Sequence, residues 1–510
     1  MARLNTEFMD DTLGFRSKVE DELEQAVYAA LERGVNQLDD IQNREVYEQM
    51  SEERHEILRW YPFKPNANIL EIGAGMGALT GILTEKAKKV TCLEKKESRC
   101  KILYKRFEHC SNVQICNVNY ADFIPETKYD YVVIHDITGY AKKYFKDDSA
   151  HLKFISKLKS FLAPSGVLLF LAENRLGLKY FSGAYEEYSG KFFTGLNNFD
   201  GYNYITTFTR NEIMCMSEQA GFKYCRFYYP YPDLSFPVQI YTDAILDKMY
   251  YGAHEAPYAK DRFVFFDEQR MFHTLQAEGI INRFVNAFVV ELSMEEQEHR
   301  VLYYRVIDSG MDRKHYELLD VMPDGIRADR HLVDALEQLA DGMVENRREK
   351  IEELFQFFQK SVKLISSEDK LYTIQDIYVD KDRIQLHSQN GIVIDEYMMY
   401  KECYFLYDFY RFYIRGRQDY EKNLPFNQLC KKCGISVEQM KLFFKVQNRF
   451  SNNKASCYGR SYYGNLIYPI DIYPNGDLIM DTFPAYRDEE EELLVREEQL
   501  LKLWRNVNEQ

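Results

Sequence analysis

The sequence contains no apolar run long enough to cross a membrane. The longest notable runs, such as GVLLFLA, fall far short of the roughly 20 residues that a spanning helix needs. The first residues, MARLNTEFMDDTLGF, lack the basic-then-apolar layout of a secretory signal. The 10 cysteines follow no regular spacing, which in a long chain is typical of reduced thiols. These absences predict a soluble, cytoplasmic protein that meets a membrane only through a partner.

Positive charge is also in short supply. The chain has 65 Lys and Arg residues against 80 Asp and Glu residues, for a formal net charge of -15. Such a surface repels phosphate backbones at long range, so a nucleic-acid substrate is disfavoured. A small-molecule cofactor and a non-nucleic-acid acceptor fit this charge better.

At 510 residues the chain is too long for a single core, and its texture changes along its length. Strand and helix patterns alternate up to about residue 250, which predicts an α/β, doubly wound, mostly parallel sheet with helices on both faces. We expect four regions: a helical N-terminal segment (1–60), this α/β domain (61–250), an α+β domain (251–400) and a mainly helical C-terminal region (401–510). No internal repeat or low-complexity segment is present.

The most informative stretch is ILEIGAGMG, in which a buried strand runs into a glycine-rich loop. Gly73, Gly75 and Gly77 occupy alternate positions, giving GxGxG rather than the GxGxxG of a dinucleotide site. Glycine is needed where a Cβ would block a ligand or where φ must be positive. The spacing therefore disfavours NAD, although a glycine-rich turn without a ligand remains an alternative.

Two acids flank this loop. Glu71 lies two residues before the first glycine, and Glu94 ends the next strand, where a carboxylate can accept hydrogen bonds from ribose hydroxyls. The whole pattern resembles motif I of class I S-adenosylmethionine-dependent methyltransferases. That resemblance implies a seven-stranded Rossmann-like sheet, S-adenosylmethionine as the cofactor, and an activity of class EC 2.1.1.-. It also implies these cofactor-binding residues: Glu71, Gly73, Ala74, Gly75, Gly77, Glu94, Lys95, Asn119, Tyr120 and Asp122.

The acceptor side of the site is predicted from the ends of later strands. In a doubly wound sheet these ends face the ligand. YDYVVIHD brings His135 and Asp136 there, and imidazole titrates near neutrality, so His135 is the candidate general base with Asp136 orienting it or acting itself. A packed histidine is the competing interpretation. Four further residues are candidates for acceptor binding: Glu173, Asn174, Glu186 and Glu187.

Longer stretches resemble a narrower group, the large bacterial methyltransferases encoded among cell-surface polysaccharide genes. The stretches are ERHEILRWYPFKPNANILEIGAGMGALTG, AENRLGLKYFSGAYEEYSGKFFTGL and YPYPDLSFPVQIYTD. The resemblance implies a saccharide or lipid-linked glycan hydroxyl as acceptor, and glycosyltransferase or assembly proteins as partners. The segment GIVIDEYMMYKECYFLYDFYRFY departs from that group, which has a Glu-Trp pair and prolines there.

Three further possibilities follow from shorter stretches of the sequence. ALTGILTEKAKKVTCLE is similar to ribosomal RNA adenine dimethyltransferases, but HDITGY replaces their Asn-Pro-Pro-Tyr-type motif, which argues against an RNA base as acceptor. A cofactor-binding scaffold that has lost catalysis is the second. The third is zinc: Cys430 and Cys433 form one CxxC, which without a second pair is weak metal evidence, so no metal is expected.

Overall fold

The computed structural model of the chain forms two compact units. The first contains Met1–Phe181, Tyr185–Asp243 and Ile280–Tyr304, and the second contains Ser182–Ala184, Ala244–Gly279 and Arg305–Gln510. The predicted division at residues 60, 250 and 400 stays a prediction. The structure describes residues 3–5, 18–33, 44–135, 141–145, 149–202, 205–247, 258, 262–263, 265–266, 268–298, 301–306, 316–319, 348–373, 376–380, 383–386, 395–410, 426–448, 460–463 and 466–469.

Nine strands of the first unit form one mixed sheet, in the order β1-β4-β3-β2-β5-β6-β10-β7-β8. Numbered along the chain, they are β1 (Arg3–Asn5), β2 (Asn68–Ile72), β3 (Lys89–Glu94), β4 (Val113–Asn117), β5 (Tyr129–His135), β6 (Leu162–Glu173), β7 (Tyr224–Tyr231), β8 (Gln239–Thr242) and β10 (Ala287–Ser293). The strands from β1 to β6 pair in parallel. The predicted Rossmann-like α/β fold is confirmed, but the prediction of seven strands is wrong.

The two unexpected features of this sheet have physical reasons. β1 lies in a polar segment with no strand periodicity, yet it pairs with the free edge of β4. The stretch containing β10 was expected in the second domain, but it inserts between β6 and β7 and pairs antiparallel with both. All seven residues of β10 are buried, as they must be in a strand covered on both faces and both edges.

The helices of the first unit cover this sheet. They are α1 (Lys18–Arg33), α2 (Arg44–Met50), α3 (Glu56–Arg59), α4 (Thr80–Lys86), α5 (Glu97–Phe107), α6 (Ala141–Tyr144), α7 (Ala150–Lys159), α8 (Leu178–Phe181) and α9 (Arg210–Gln219), with 3-10 turns at Glu52–His55 and Ile281–Arg283. Sequence signals set several of these bounds. Helix α9 begins with a capping box in which Thr209 accepts from the Glu212 amide, and it is followed by Gly221 at φ +76°.

The N-terminal helices pack against the glycine loop. Val27 of α1, Val46 and Met50 of α2, Met76 of the loop and Ile102 of α5 form one buried cluster. Helices α1 and α2, within the predicted helical N-terminal segment, therefore pack against the glycine loop.

The second unit has its own core. Its elements, together with β11 at the junction, are β9 (Arg262–Phe263), β11 (Tyr303–Val306), β12 (Tyr316–Leu319), β13 (Ile377–Asp380), β14 (Arg383–Leu386), β15 (Arg460–Tyr463), β16 (Leu466–Pro469), α10 (Glu268–Ala277), α11 (Arg348–Ser366), α12 (Asp395–Met398), α13 (Lys401–Phe409), α14 (Phe426–Lys432) and α15 (Val437–Asn448). Helices α11, α13 and α15 bury Phe358, Phe405 and Phe443 together. Residues 470–510 of the predicted mainly helical C-terminal region lie outside the described residues.

Candidate cofactor and acceptor site

The glycine loop adopts the backbone geometry that its sequence predicts. Gly73, Gly75 and Gly77 have φ values of +72°, +57° and +91°, a region that residues with a side chain rarely enter. The amides of Gly73 and Ala74 both donate to the Leu93 carbonyl, at 2.9 and 3.1 Å. The loop is therefore tied to the end of β3, where Glu94 lies.

Gly75 and Gly77 are glycines for different reasons. A Cβ at Gly75 would meet nothing nearer than the Gly73 carbonyl oxygen at 3.9 Å, so the loop faces open space there. A Cβ at Gly77 would lie 2.6 Å from the ring of Phe107 and 2.8 Å from Leu103. Gly77 thus allows the loop to pack against α5, while Gly75 leaves room for a ligand against the backbone.

Glu94 holds the loop from the other side. Its carboxylate accepts from the Gly75 amide at 2.9 Å and from the Lys96 amide at 2.8 Å. Burial raises the pKa of Glu94, while the amides of Lys96, Gly75 and Lys95 oppose that rise. The Lys95 side chain is exposed. An acid fixed in this way lies directly beside the open face at Gly75.

Glu71 lies beneath the loop. Its Oε2 accepts from the Thr80 hydroxyl at 2.7 Å and from the Cys92 thiol at 3.4 Å. Burial raises the pKa of Glu71 to about 7, and Arg106 opposes that rise. Arg106 itself donates to the Met76 carbonyl of the loop at 2.6 Å. Glu71 therefore belongs to a buried group that supports the loop.

Three of the residues predicted to bind the cofactor follow β4. Asn119 accepts from the Ala121 amide through its side chain at 3.1 Å, and its carbonyl accepts from the Asp122 amide at 3.0 Å. Tyr120 is buried edge-on against Phe154 at 4.9 Å between ring centroids, and Asp122 is exposed. These hydrogen bonds define the turn and leave Asp122 exposed, and the role of the three residues in cofactor binding stays a prediction.

His135 ends β5 as expected, but its surroundings do not suit a general base. Arg54 donates from Nη2 to His135 Nε2 at 2.8 Å, and Arg54 has no acceptor atom, so the histidine proton lies on Nδ1. Burial and the Arg54 charge lower the pKa of His135 to about 3. In this arrangement the Nε2 lone pair is occupied by the Arg54 hydrogen bond, and the role of His135 as general base stays a prediction. Asp136 lies outside the described residues.

Glu173 lies at the end of β6 in a buried ionic group. Its Oε2 accepts from Lys179 at 2.8 Å and from the Tyr180 hydroxyl at 2.9 Å, and Lys179 also contacts Glu187 at 3.0 Å. Burial raises the pKa of Glu173 to about 7, against the attraction of Lys179. Burial disfavours the charged form of Lys179, but Glu173, Glu187 and Asp233 hold its pKa above the ordinary value.

Asn174 and Glu186 differ in how many of their side-chain polar atoms have hydrogen-bond partners. The Asn174 amide is fully buried, donates to the carbonyls of Arg283 and Val285, and accepts from the Leu176 amide. This residue stabilises a junction of loops, and a contact with the acceptor is not visible in its geometry. Glu186 is 1% exposed, and only its Oε2 is hydrogen-bonded, to the amides of Tyr188 and Ser189.

Three basic residues of the site were not predicted. Arg54 and Arg106 lie in segments without a motif, and Lys179 follows β6 in an ordinary helical pattern. The available signal was chemical: a buried carboxylate needs a cation nearby, so Glu71 and Glu173 each imply a basic partner. Sequence spacing could not say which residue supplies it.

Comparisons with known proteins agree with this description of the loop. Residues 42–156, less than a quarter of the chain, match the family model for ribosomal RNA adenine dimethylases. That family consists of S-adenosylmethionine-dependent methyltransferases, so the match confirms the predicted cofactor for this part of the chain. No curated protein matches the chain.

Several solved methyltransferase structures are similar to part of the chain. N-methyltransferase NodS from Bradyrhizobium japonicum WM9 is 22% identical over 24% of this chain and 68% of its own, with a TM-score of 0.22. Phosphoethanolamine N-methyltransferase 1 from Haemonchus contortus is 19% identical over 31% and 34%, with a TM-score of 0.23. A SAM-dependent methyltransferase from Aquifex aeolicus is 15% identical over 38% and 88%, with a TM-score of 0.26. Such values assign none of their substrates to this chain.

S-adenosylmethionine fits the residues of the loop. The open space at Gly75 would admit its aminoacyl and ribose parts, and Glu94 would accept from the ribose hydroxyls. Within the described residues, no three His, Cys, Asp or Glu side chains group as metal ligands would. In the same part of the chain, no helix has the length and apolarity that a membrane crossing requires.

Proposed function

We propose that this protein transfers a methyl group from S-adenosylmethionine to a hydroxyl of a saccharide or glycan intermediate in bacterial surface polysaccharide synthesis. The observation that carries the transfer chemistry is the glycine loop, with three positive φ values, an open face at Gly75 and an acid beside it. The acceptor follows from the sequence resemblance. The reaction takes place in the cytoplasm, and glycosyltransferase or assembly proteins are the expected partners.

When bound, S-adenosylmethionine supplies an activated methyl group on a sulfonium. The chain has mainly to orient the acceptor and exclude water from it. Gly75 and Glu94 fix the cofactor, and the ends of β5 and β6 bring the acceptor side next to it. Glu173, Asn174, Glu186 and Glu187 are proposed to line that side.

The hydroxyl proton needs an acceptor group on the protein. His135 bonded to Arg54 is better suited to shaping the end of β5 than to taking this proton. We place the proton acceptor among the carboxylates: Asp136, as expected from the sequence, or Glu173. Burial raises the pKa of Glu173, although Lys179 opposes the rise, so this carboxylate holds a proton more readily than an exposed one does.

RNA methylation is the second candidate, and the family match over residues 42–156 favours it. The net charge of -15 opposes it, because an RNA substrate must be drawn to a basic surface. Salt-sensitive RNA binding is the property that this candidate requires. The third candidate is a scaffold protein that has the methyltransferase fold and binds the cofactor within a glycan assembly complex, but does not catalyse methyl transfer.

One experiment separates these candidates. Bacterial extracts are incubated with the protein and methyl-labelled S-adenosylmethionine, and the saccharide, lipid-linked and RNA fractions are examined by mass spectrometry. Label in a saccharide or lipid-linked fraction is the expected result. Label in RNA would establish the second candidate, and tight S-adenosylhomocysteine binding without label in any fraction would favour the scaffold.

A further inference from the structure

An aromatic insert follows β6 and α8, and we call residues 185–202 the insert. Its backbone is held in uncommon conformations: Phe193, Asn198 and Phe199 have φ values of +60°, +54° and +55°. Each costs free energy that the surrounding structure must offset, and such residues concentrate at ligand sites. Tyr185 and Phe192 form an isolated bridge and stack at 4.0 Å between ring centroids. The insert therefore has a defined backbone conformation that is supported by aromatic stacking.

Glu186 lies inside the insert with one oxygen unused. It is 1% exposed, and Ser189 and Tyr188 donate to Oε2 at 2.7 and 3.2 Å. Oε1 is buried and has no hydrogen-bond partner within the part of the chain that the structure describes. Leaving a buried polar atom without a partner costs about 1–3 kcal/mol, and more if it is charged. Among the described residues Oε1 thus lacks a partner, and a donor supplied by a ligand would satisfy it.

The charge around Glu186 indicates what that partner is. Among the described residues, the carboxylates of Glu173 and Glu187 contact the Lys179 ammonium at 2.8 and 3.0 Å, and that of Asp233 interacts with it electrostatically. Glu186 interacts electrostatically with Glu187 and with Tyr180, whose hydroxyl donates to Glu173. The group is therefore short of positive charge. A neutral hydroxyl could satisfy Oε1, but only a cation would also reduce this excess.

The aromatic rings point the same way. Gly195 lies between Glu186 and Phe199: a Cβ there would meet the Phe199 ring at 3.5 Å and Glu186 Cγ at 3.6 Å. The Phe199 ring and the Glu186 side chain therefore flank the same glycine, and an aromatic ring near a carboxylate can add a cation–π contact to a charge-assisted hydrogen bond with an ammonium group.

We propose that the insert binds a positively charged amine carried by the acceptor, with Glu186 Oε1 accepting its N–H hydrogen bond. The inference rests on the proposed function and narrows its substrate class to amine-bearing saccharides. The amine anchors the acceptor and is distinct from the hydroxyl that receives the methyl group.

The test uses the full-length protein saturated with S-adenosylhomocysteine, with calorimetric titration of glucosamine and of glucose as a matched neutral sugar. We expect glucosamine to bind about tenfold or more tightly, the order of one charge-assisted hydrogen bond. Glu186→Gln keeps the shape, removes the charge and should bring the two sugars to similar affinity. Glu218→Gln, an equal charge change at an exposed position, should leave the preference intact.

Several outcomes would overturn the proposal. Equal affinity of the two sugars, tighter binding of glucose, or no glucosamine binding at 50 mM (roughly the weak limit for a single anchoring contact) would each do so. A Glu186→Gln variant that folds with unchanged melting temperature and keeps the amine preference would also do so. The prior titration with S-adenosylhomocysteine separates these results from failure of the methyltransferase assignment, because that binding does not involve the insert.

Discussion

The two glycines that serve different purposes allow a paired substitution test. Gly77→Ala places a methyl group 2.6 Å from Phe107 and 2.8 Å from Leu103, at a φ of +91°. Backbone strain costs about 1–3 kcal/mol and overpacking about 1–3 kcal/mol, so we expect a loss of roughly 2–6 kcal/mol in the free energy of unfolding. In a unit of this size, the melting temperature should fall by roughly 10 °C.

Gly75→Ala should behave in the opposite way. Its φ of +57° lies in the left-handed region, at a cost of roughly 1–2 kcal/mol, and its Cβ meets no other part of the protein closely. The methyl group instead occupies the space assigned to the cofactor. We expect the melting temperature to fall by only a few degrees, as this cost implies, and S-adenosylhomocysteine affinity to fall at least about tenfold, or 1.4 kcal/mol.

Thermal unfolding and calorimetric titration of both variants provide the assay. A folded Gly75→Ala protein that binds S-adenosylhomocysteine as tightly as the unsubstituted protein would refute the placement of the cofactor. A Gly77→Ala protein of normal stability would refute the account of how the loop packs on α5.

Three further predictions follow from the carboxylates and from His135. Glu94→Ala should weaken S-adenosylhomocysteine binding by about 1.5–3 kcal/mol in calorimetry, since a charged hydrogen-bond acceptor is lost. His135 has a folded-state pKa of about 3, below its ordinary value, so it contributes stability above pH 6.5 that is lost as the pH falls towards 3. Between pH 6.5 and pH 5, the free energy of unfolding measured in urea should therefore fall by about 2 kcal/mol less in His135→Gln than in the unsubstituted protein. An equal fall in the two proteins would contradict this. Lys179→Met leaves Glu173 and Glu187 without their cation and should cost about 3–5 kcal/mol. Thermal unfolding should show a smaller cost at pH 5 than at pH 8, because Glu173, with a pKa of about 7, is protonated at the lower pH.

The cofactor half of the site could be predicted from the sequence because its chemistry is local. Gly73, Gly75 and Gly77 lie in one loop; Glu71 is the next-to-last residue of β2 and Glu94 the last residue of β3, and both strands have a clear apolar pattern. Strand ends in a parallel sheet meet at one edge, so chain order alone brings them together.

The acceptor side could not be predicted in the same way. Arg54 and His135 are separated by 81 positions, and no spacing rule predicts their contact. The role of Asn174 depends on carbonyls more than 100 residues later. The residue types indicated polar side chains at these positions, but only the packing shows which of their atoms are already hydrogen-bonded within the protein.

The strand count failed for a related reason. β10 follows a long segment and reads as an ordinary apolar strand, which could pair in any sheet. Its position between β6 and β7 depends on two antiparallel partners distant in sequence. Register with remote strands is a tertiary property that periodicity does not specify.

The central claim is that the loop at Gly75 binds S-adenosylmethionine and not a dinucleotide. Calorimetric titration of the intact protein with S-adenosylhomocysteine and, separately, with NAD⁺ tests it most directly. We expect one S-adenosylhomocysteine to bind per chain with a roughly micromolar dissociation constant, and no heat with NAD⁺. Binding of NAD⁺, or no binding of S-adenosylhomocysteine by folded protein, would contradict it.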